Sequence, residues 1–136
     1  MNPKYLLALA AFACMTAAQA APPAVGDTVK LPFEGIDGVI TMRLPLFPQP
    51  ETGSETVQQR HSLTRSIQQM QSSVCAYNRE QLRALRGHQA DKEAFTVLDF
   101  RETRWPRERG GALKRWMQVR SVERPACEGW IETGPN

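Results

Sequence analysis

The chain has 136 residues, with 17 basic against 14 acidic side chains, 41% hydrophobic and 7% aromatic residues. That length supports one compact domain, and the composition excludes a disordered chain, a collagen and a dense disulfide scaffold. Outside an apolar N-terminus no run reaches the roughly 18 residues of a spanning helix, which excludes a multi-span membrane protein.

Residues 1–20 have the form of an export signal. Met1 to Lys4 form a short cationic start, Tyr5 to Met15 an apolar stretch, and Ala18-Gln19-Ala20 a small-x-small cleavage pattern. The sequence therefore predicts a cleaved leader and a single mature domain of residues 21–136, periplasmic or secreted. Ala21-Pro22-Pro23 resists continuation of a helix. A second reading makes the protein a lipoprotein acylated on Cys14, although Ala11-Phe12-Ala13 before it lacks the usual leucine. Once the leader is gone, Cys75 and Cys127 remain, and an even pair in an oxidising compartment predicts one disulfide.

In chain order, Thr28 to Phe33 and Val39 to Leu44 read as strands, with turn residues Gly35 to Gly38 between them making a β-hairpin. Three prolines, Pro45, Pro48 and Pro50, then force an extended connection. Thr52 followed by Glu55 has the form of a capping box and predicts a helix start. Leu63, Ile67, Met70, Val74 and Tyr77 continue at helical spacing, extended by Leu82 and Leu85 to a stop at Gly87. The pattern fits one long helix or two consecutive ones, broken near Ser72-Ser73 or recapped at Asn78. Gln and Arg residues on the opposite side suit a helix lying on a surface. Ala94 to Glu102, Ala112 to Val122 and Cys127 to Glu132 read as a three-stranded antiparallel meander, with Gly110-Gly111 ending its first connection. The expected fold is α+β, the helix packed on one face of the sheet.

Charge is concentrated late in the chain. Between Arg60 and Arg124 there are 14 basic and 7 acidic residues, whereas residues 21–59 hold 2 basic and 5 acidic ones. Arg101, Arg104, Trp105, Arg107, Arg109 and Arg115 form the densest group. Guanidinium forks bind carboxylate and phosphate and stack on aromatic rings, and an exposed tryptophan among arginines matches the composition of interface hot spots. These six residues are the predicted partner-binding set. The expected partner is a protein with an acidic surface, or else an anionic polymer of the cell envelope. Nucleic acid is not expected, because no binding motif accompanies the basic group.

No catalytic constellation is legible. His61 and His88 lack partners at metal-ligand spacing, and the serines lack a nucleophile turn. Asp99 and Glu102 fall on opposite sides of a strand, so Asp99 is expected to pair with Arg101 instead. The sequence therefore predicts no enzyme, no cofactor and no metal. Its leading reading is an exported binding protein of inhibitor or immunity type; the alternative is a structural accessory of an envelope secretion or conjugation assembly.

Overall fold

A computed structural model describes residues 22–36, 39–42, 45–78, 80 and 92–134. The expected leader with Cys14, the expected helical continuation through Leu82 and Leu85 to Gly87, and His88 lie outside the described residues.

Among the described residues five strands and one helix of more than a single residue are seen. The strands are β1 (Thr28–Ile36), β2 (Val39–Met42), β3 (Lys92–Arg104), β4 (Leu113–Ser121) and β5 (Glu128–Glu132), and helix α1 (Val57–Ser73) lies between β2 and β3. The α+β class is therefore correct, with two corrections to its details. The last three strands do not form a separate meander: β1 pairs with β3, so the N-terminal hairpin joins the same antiparallel sheet in the order β2-β1-β3-β4-β5. Secondly, α1 stops at Ser73, so the stripe does not run on as one unbroken helix to Tyr77; Glu80 is again helical, and residues 81–91 lie outside the described residues.

The helix also begins later than Thr52. Glu55 does meet Thr52, its Oε1 accepting from the Thr52 N–H at 2.6 Å and hydroxyl at 2.8 Å. Between them, however, Gly53 has a φ of +79°, which makes a tight loop rather than a helical turn. The working capping box is one turn further on. Thr56 Oγ1 accepts from the Gln59 N–H at 3.2 Å, and Gln59 Oε1 accepts from the Thr56 N–H at 2.7 Å. At the other end the N–H groups of Val74 and Cys75 both donate to the Met70 carbonyl, and the chain turns inward to bury Cys75 and Tyr77.

The sheet cannot be flat. Val39–Met42 pairs with β1 at one edge, while Phe47, five residues later, exchanges two backbone hydrogen bonds of 2.8 and 2.7 Å with Trp130 at the β5 edge. Five residues span at most about 17 Å, whereas a flat arrangement would separate those positions by roughly 24 Å. The sheet therefore curls until its first and last strands approach, and Phe47 closes the seam. Inside lie Leu31, Phe95, Val97, Met117, Val119 and Ile131, with Leu46 plugging the seam from within. Leu46 Cβ sits against Gly129, where an added methyl group would come within 3.0 Å.

Helix α1 covers less than its stripe suggests. None of its residues is fully buried, and Met70 is the one packed on the core cluster. Closure comes instead from the Cys75–Cys127 disulfide, with both sulfur-bearing residues fully buried and Cα atoms 5.0 Å apart. Its sequence separation of 52 corresponds to about 4 kcal/mol in the chain-entropy model. That is a large fraction of the ~5–15 kcal/mol typical of a domain. No helix among the described residues is long and apolar enough to cross a membrane.

Candidate functional site

The strands β3 and β4 stay paired from Phe95 and Ser121 out to Arg104 and Leu113. Their neighbours stop earlier: β1 pairs only as far as Thr96 and β5 as far as Trp116. The outer part of this hairpin consequently projects beyond the closed sheet as an arm. A β-bulge between Val97 and Asp99 marks its root and re-aims the strand.

The arm ends in a short 3-10 turn, Arg107–Arg109. Three hydrogen bonds close it: Arg109 N–H and Gly111 N–H to the Pro106 carbonyl, both 2.9 Å, and Gly110 N–H to the Arg107 carbonyl at 3.1 Å. Arg104 and Arg107 are exposed, and neither side chain forms an ion pair or hydrogen bond among the described residues. Glu108 shares the turn. Arg109 is exposed but tethered, donating from Nη2 to the Glu55 carbonyl at 3.3 Å.

Trp105 is placed differently from the outward anchor that the sequence suggests. Its ring lies against Gly53, where a Cβ would come within 2.5 Å of Trp105 Cγ, and Lys114 Nζ sits 4.5 Å over the ring. Its indole N–H is buried with no acceptor among the described residues, which costs about 1–3 kcal/mol. Trp105 thus fastens the arm to residues 50–55 rather than presenting itself to a partner. Arg101, at the base, stacks 4.8 Å above Trp130, and Arg115 pairs with Glu102 at 3.4 Å. The expected Asp99–Arg101 ion pair is absent: Asp99 Oδ1 accepts instead from the Phe100 N–H at 2.8 Å, and the Arg101 guanidinium lies over Trp130.

Residues 50–55 carry two shifted carboxyls. Burial, followed by repulsion from Glu55, raises Glu51, and Lys114 and Arg60 only partly oppose this. For Glu55 burial pushes the same way, but hydrogen bonds from Thr52 and neighbouring N–H groups outweigh it and hold the carboxyl below its usual value.

A second polar constellation escapes the sequence reading. Glu93 is fully buried and Arg124 is 7% exposed; they form a fork of two contacts, Nη2 to Oε2 at 2.6 Å and Nε to Oε1 at 2.9 Å. The Ser121 hydroxyl donates to Glu93 at 2.6 Å, and Arg124 Nη1 donates to the carbonyls of Cys75 and Ala76. The guanidinium also lies 3.7 Å from the Tyr77 ring centre. Burial, reinforced by the Glu93 carboxylate, pushes the Tyr77 phenol above its ordinary range. The signal was available: Glu93 alternates with Phe95 and Val97, so all three must share the inner face of one strand. The result ties the end of α1 to the β4–β5 turn, beside the disulfide.

Among the described residues no group of three or more His, Cys, Asp or Glu side chains could hold a metal ion. His61 is exposed on α1. No family model, curated protein or solved structure matches the chain.

Proposed function

We propose that the chain is an exported, non-enzymatic binding protein that inhibits or protects a partner protein, engaging an acidic surface of that partner with the tip of the β3–β4 arm. The observation that carries this reading is the pair Arg104 and Arg107: two guanidinium groups without an ion-pair partner among the described residues, at the end of an arm that is held in one conformation by the turn hydrogen bonds, the Trp105–Gly53 contact and the Arg109–Glu55 tether. A rigid charged projection meets its partner without losing conformational freedom on binding. Export is supported by the buried disulfide, which belongs to an oxidising compartment.

Arg104 and Arg107 would pair with partner carboxylates. If they sit at the rim of the contact, their removal mainly slows association; if the contact buries them, it costs about 2–5 kcal/mol. The test is capture of partners from a periplasmic extract with the wild-type chain and with Arg104→Ala/Arg107→Ala. Selective loss of one protein from the variant's eluate is the expected result. Equal recovery of every bound protein by both baits would overturn the assignment of this surface.

A further inference from the structure

The arm has an unpaired edge whose polar groups can be placed residue by residue. In an antiparallel ladder, residues bonded to one neighbour alternate with residues facing the other way. Trp105 N–H donates to the Ala112 carbonyl at 2.9 Å, so Trp105, and by alternation Thr103 and Arg101, face β4. Glu102 and Arg104 must then face away. Two further bonds agree. The carbonyl of Arg115, the partner of Glu102, accepts from Thr133 N–H on the β5 side, and the Phe100 N–H is taken by Asp99 Oδ1 rather than by β4. Nearer the root, Val97 bonds outward to Asp27 and Gly26; the bulge that follows shifts the alternation by one, which again points Phe100 outward. From Phe100 to Arg104 no described strand pairs with this edge.

Such an edge is a template for strand addition unless something blocks it. The β5 edge is blocked by Phe47; among the described residues the β3 edge is guarded only by side chains, and most of these are engaged elsewhere. Arg101 lies over Trp130, Glu102 is paired with Arg115, and Asp99 is bonded to its own backbone neighbour. What remains is Phe100, 43% exposed, and the unpaired Arg104. They lie four residues apart in the strand and therefore on the same face.

We propose that the β3 edge from Phe100 to Arg104 captures an extended acidic segment of the partner protein as an added strand, an apolar side chain of that segment meeting Phe100 and a carboxylate four residues along meeting Arg104. Backbone hydrogen bonds supply the docking, and the two side-chain positions supply selectivity. The inference rests on the acidic-partner reading and adds the mode of contact.

The test uses a fluorescein-labelled nine-residue peptide of alternating Thr and Val with Leu and Asp at positions four apart, and a twin with Lys in place of Asp. Anisotropy titration should show the Asp peptide binding at least tenfold more tightly than its twin. Glu102→Pro deletes an outward N–H that β4 does not use, which an edge strand tolerates, and should weaken binding at least tenfold. Glu102→Ala keeps the outward N–H and removes the side chain with its ion pair to Arg115, so it should bind the Asp peptide at least tenfold more tightly than Glu102→Pro does. Amide exchange of the wild-type chain gives a readout that needs no variant: the peptide should slow Glu102 and Arg104 and leave Arg101 and Thr103 unchanged. Failure of the Asp peptide to bind, or of Glu102 and Arg104 to gain protection, overturns strand addition. Binding that survives Glu102→Pro but is lost in Arg104→Ala/Arg107→Ala also overturns it, while leaving the tip as the contact surface.

Discussion

Replacing Arg124 by methionine gives the sharpest test of how the domain is held together. The substitution keeps an unbranched apolar stem but deletes both contacts to Glu93, at 2.6 and 2.9 Å, and leaves a fully buried carboxylate with the Ser121 hydroxyl alone. Breaking a buried pair from one side costs about 3–5 kcal/mol. The carbonyls of Cys75 and Ala76 lose their donor in the same step, so the upper part of that range is expected. At about 3–5 °C per kcal/mol, between the values for smaller and larger domains, the melting temperature should fall by at least roughly 9 °C. Urea unfolding followed by tryptophan fluorescence, with the disulfide intact, measures the change. Removing both charges in Glu93→Met/Arg124→Met should recover part of the loss, giving a coupling of about 2 kcal/mol or more. An Arg124→Met loss under about 1 kcal/mol, or a double variant as unstable as the two single losses combined, would refute the argument that the pair works as a unit.

Gly53→Ala should cost more than Gly26→Ala. Both positions have positive φ, worth about 1–2 kcal/mol for an added side chain, but Gly26 faces open space whereas a Cβ at Gly53 collides with Trp105; equal losses in thermal melts would show that Trp105 is not held there. Glu51→Gln should raise the melting temperature at neutral pH. A carboxyl whose folded pKa lies above its unfolded one weakens the fold once pH has risen through the folded value, and has no such effect below the ordinary value of 4.5. The gain should therefore vanish when the melts are repeated about one unit below that value, and a pH-independent difference would exclude ionisation as its cause.

The strands were legible because they are runs of apolar and β-branched residues, with burial alternating at Phe95 and Val97 in β3, although Trp116 beside Met117 in β4 and Trp130 beside Ile131 in β5 are buried as well. The disulfide followed from the even pair, Cys75 and Cys127, that is left once Cys14 is assigned to a leader and the rest of the chain to an oxidising compartment. Sheet order was not legible, since nothing local to Thr28–Ile36 tells it to pair with a strand sixty residues away, and closure of the sheet depends on one bridge at Phe47. The capping signal was real but displaced, because two consecutive Thr-x-x-Glu/Gln patterns compete and the Gly53 turn decides between them. The arginines of the candidate site were visible as a group. Their division into free, tethered, stacked and paired members depends on Glu55, Trp130 and Glu102, two of which lie well away from them in the sequence.

The seam between the first and last strands has a consequence for how the molecule reaches its final form. Phe47 has no backbone partner until Trp130 is in place, Leu46 has no floor until Gly129 arrives, and Cys75 waits for Cys127. Contacts of such long sequence separation form late. A chain still emerging from the ribosome would therefore lack its seal until residues 127–131 come free, and would remain pliable up to that moment.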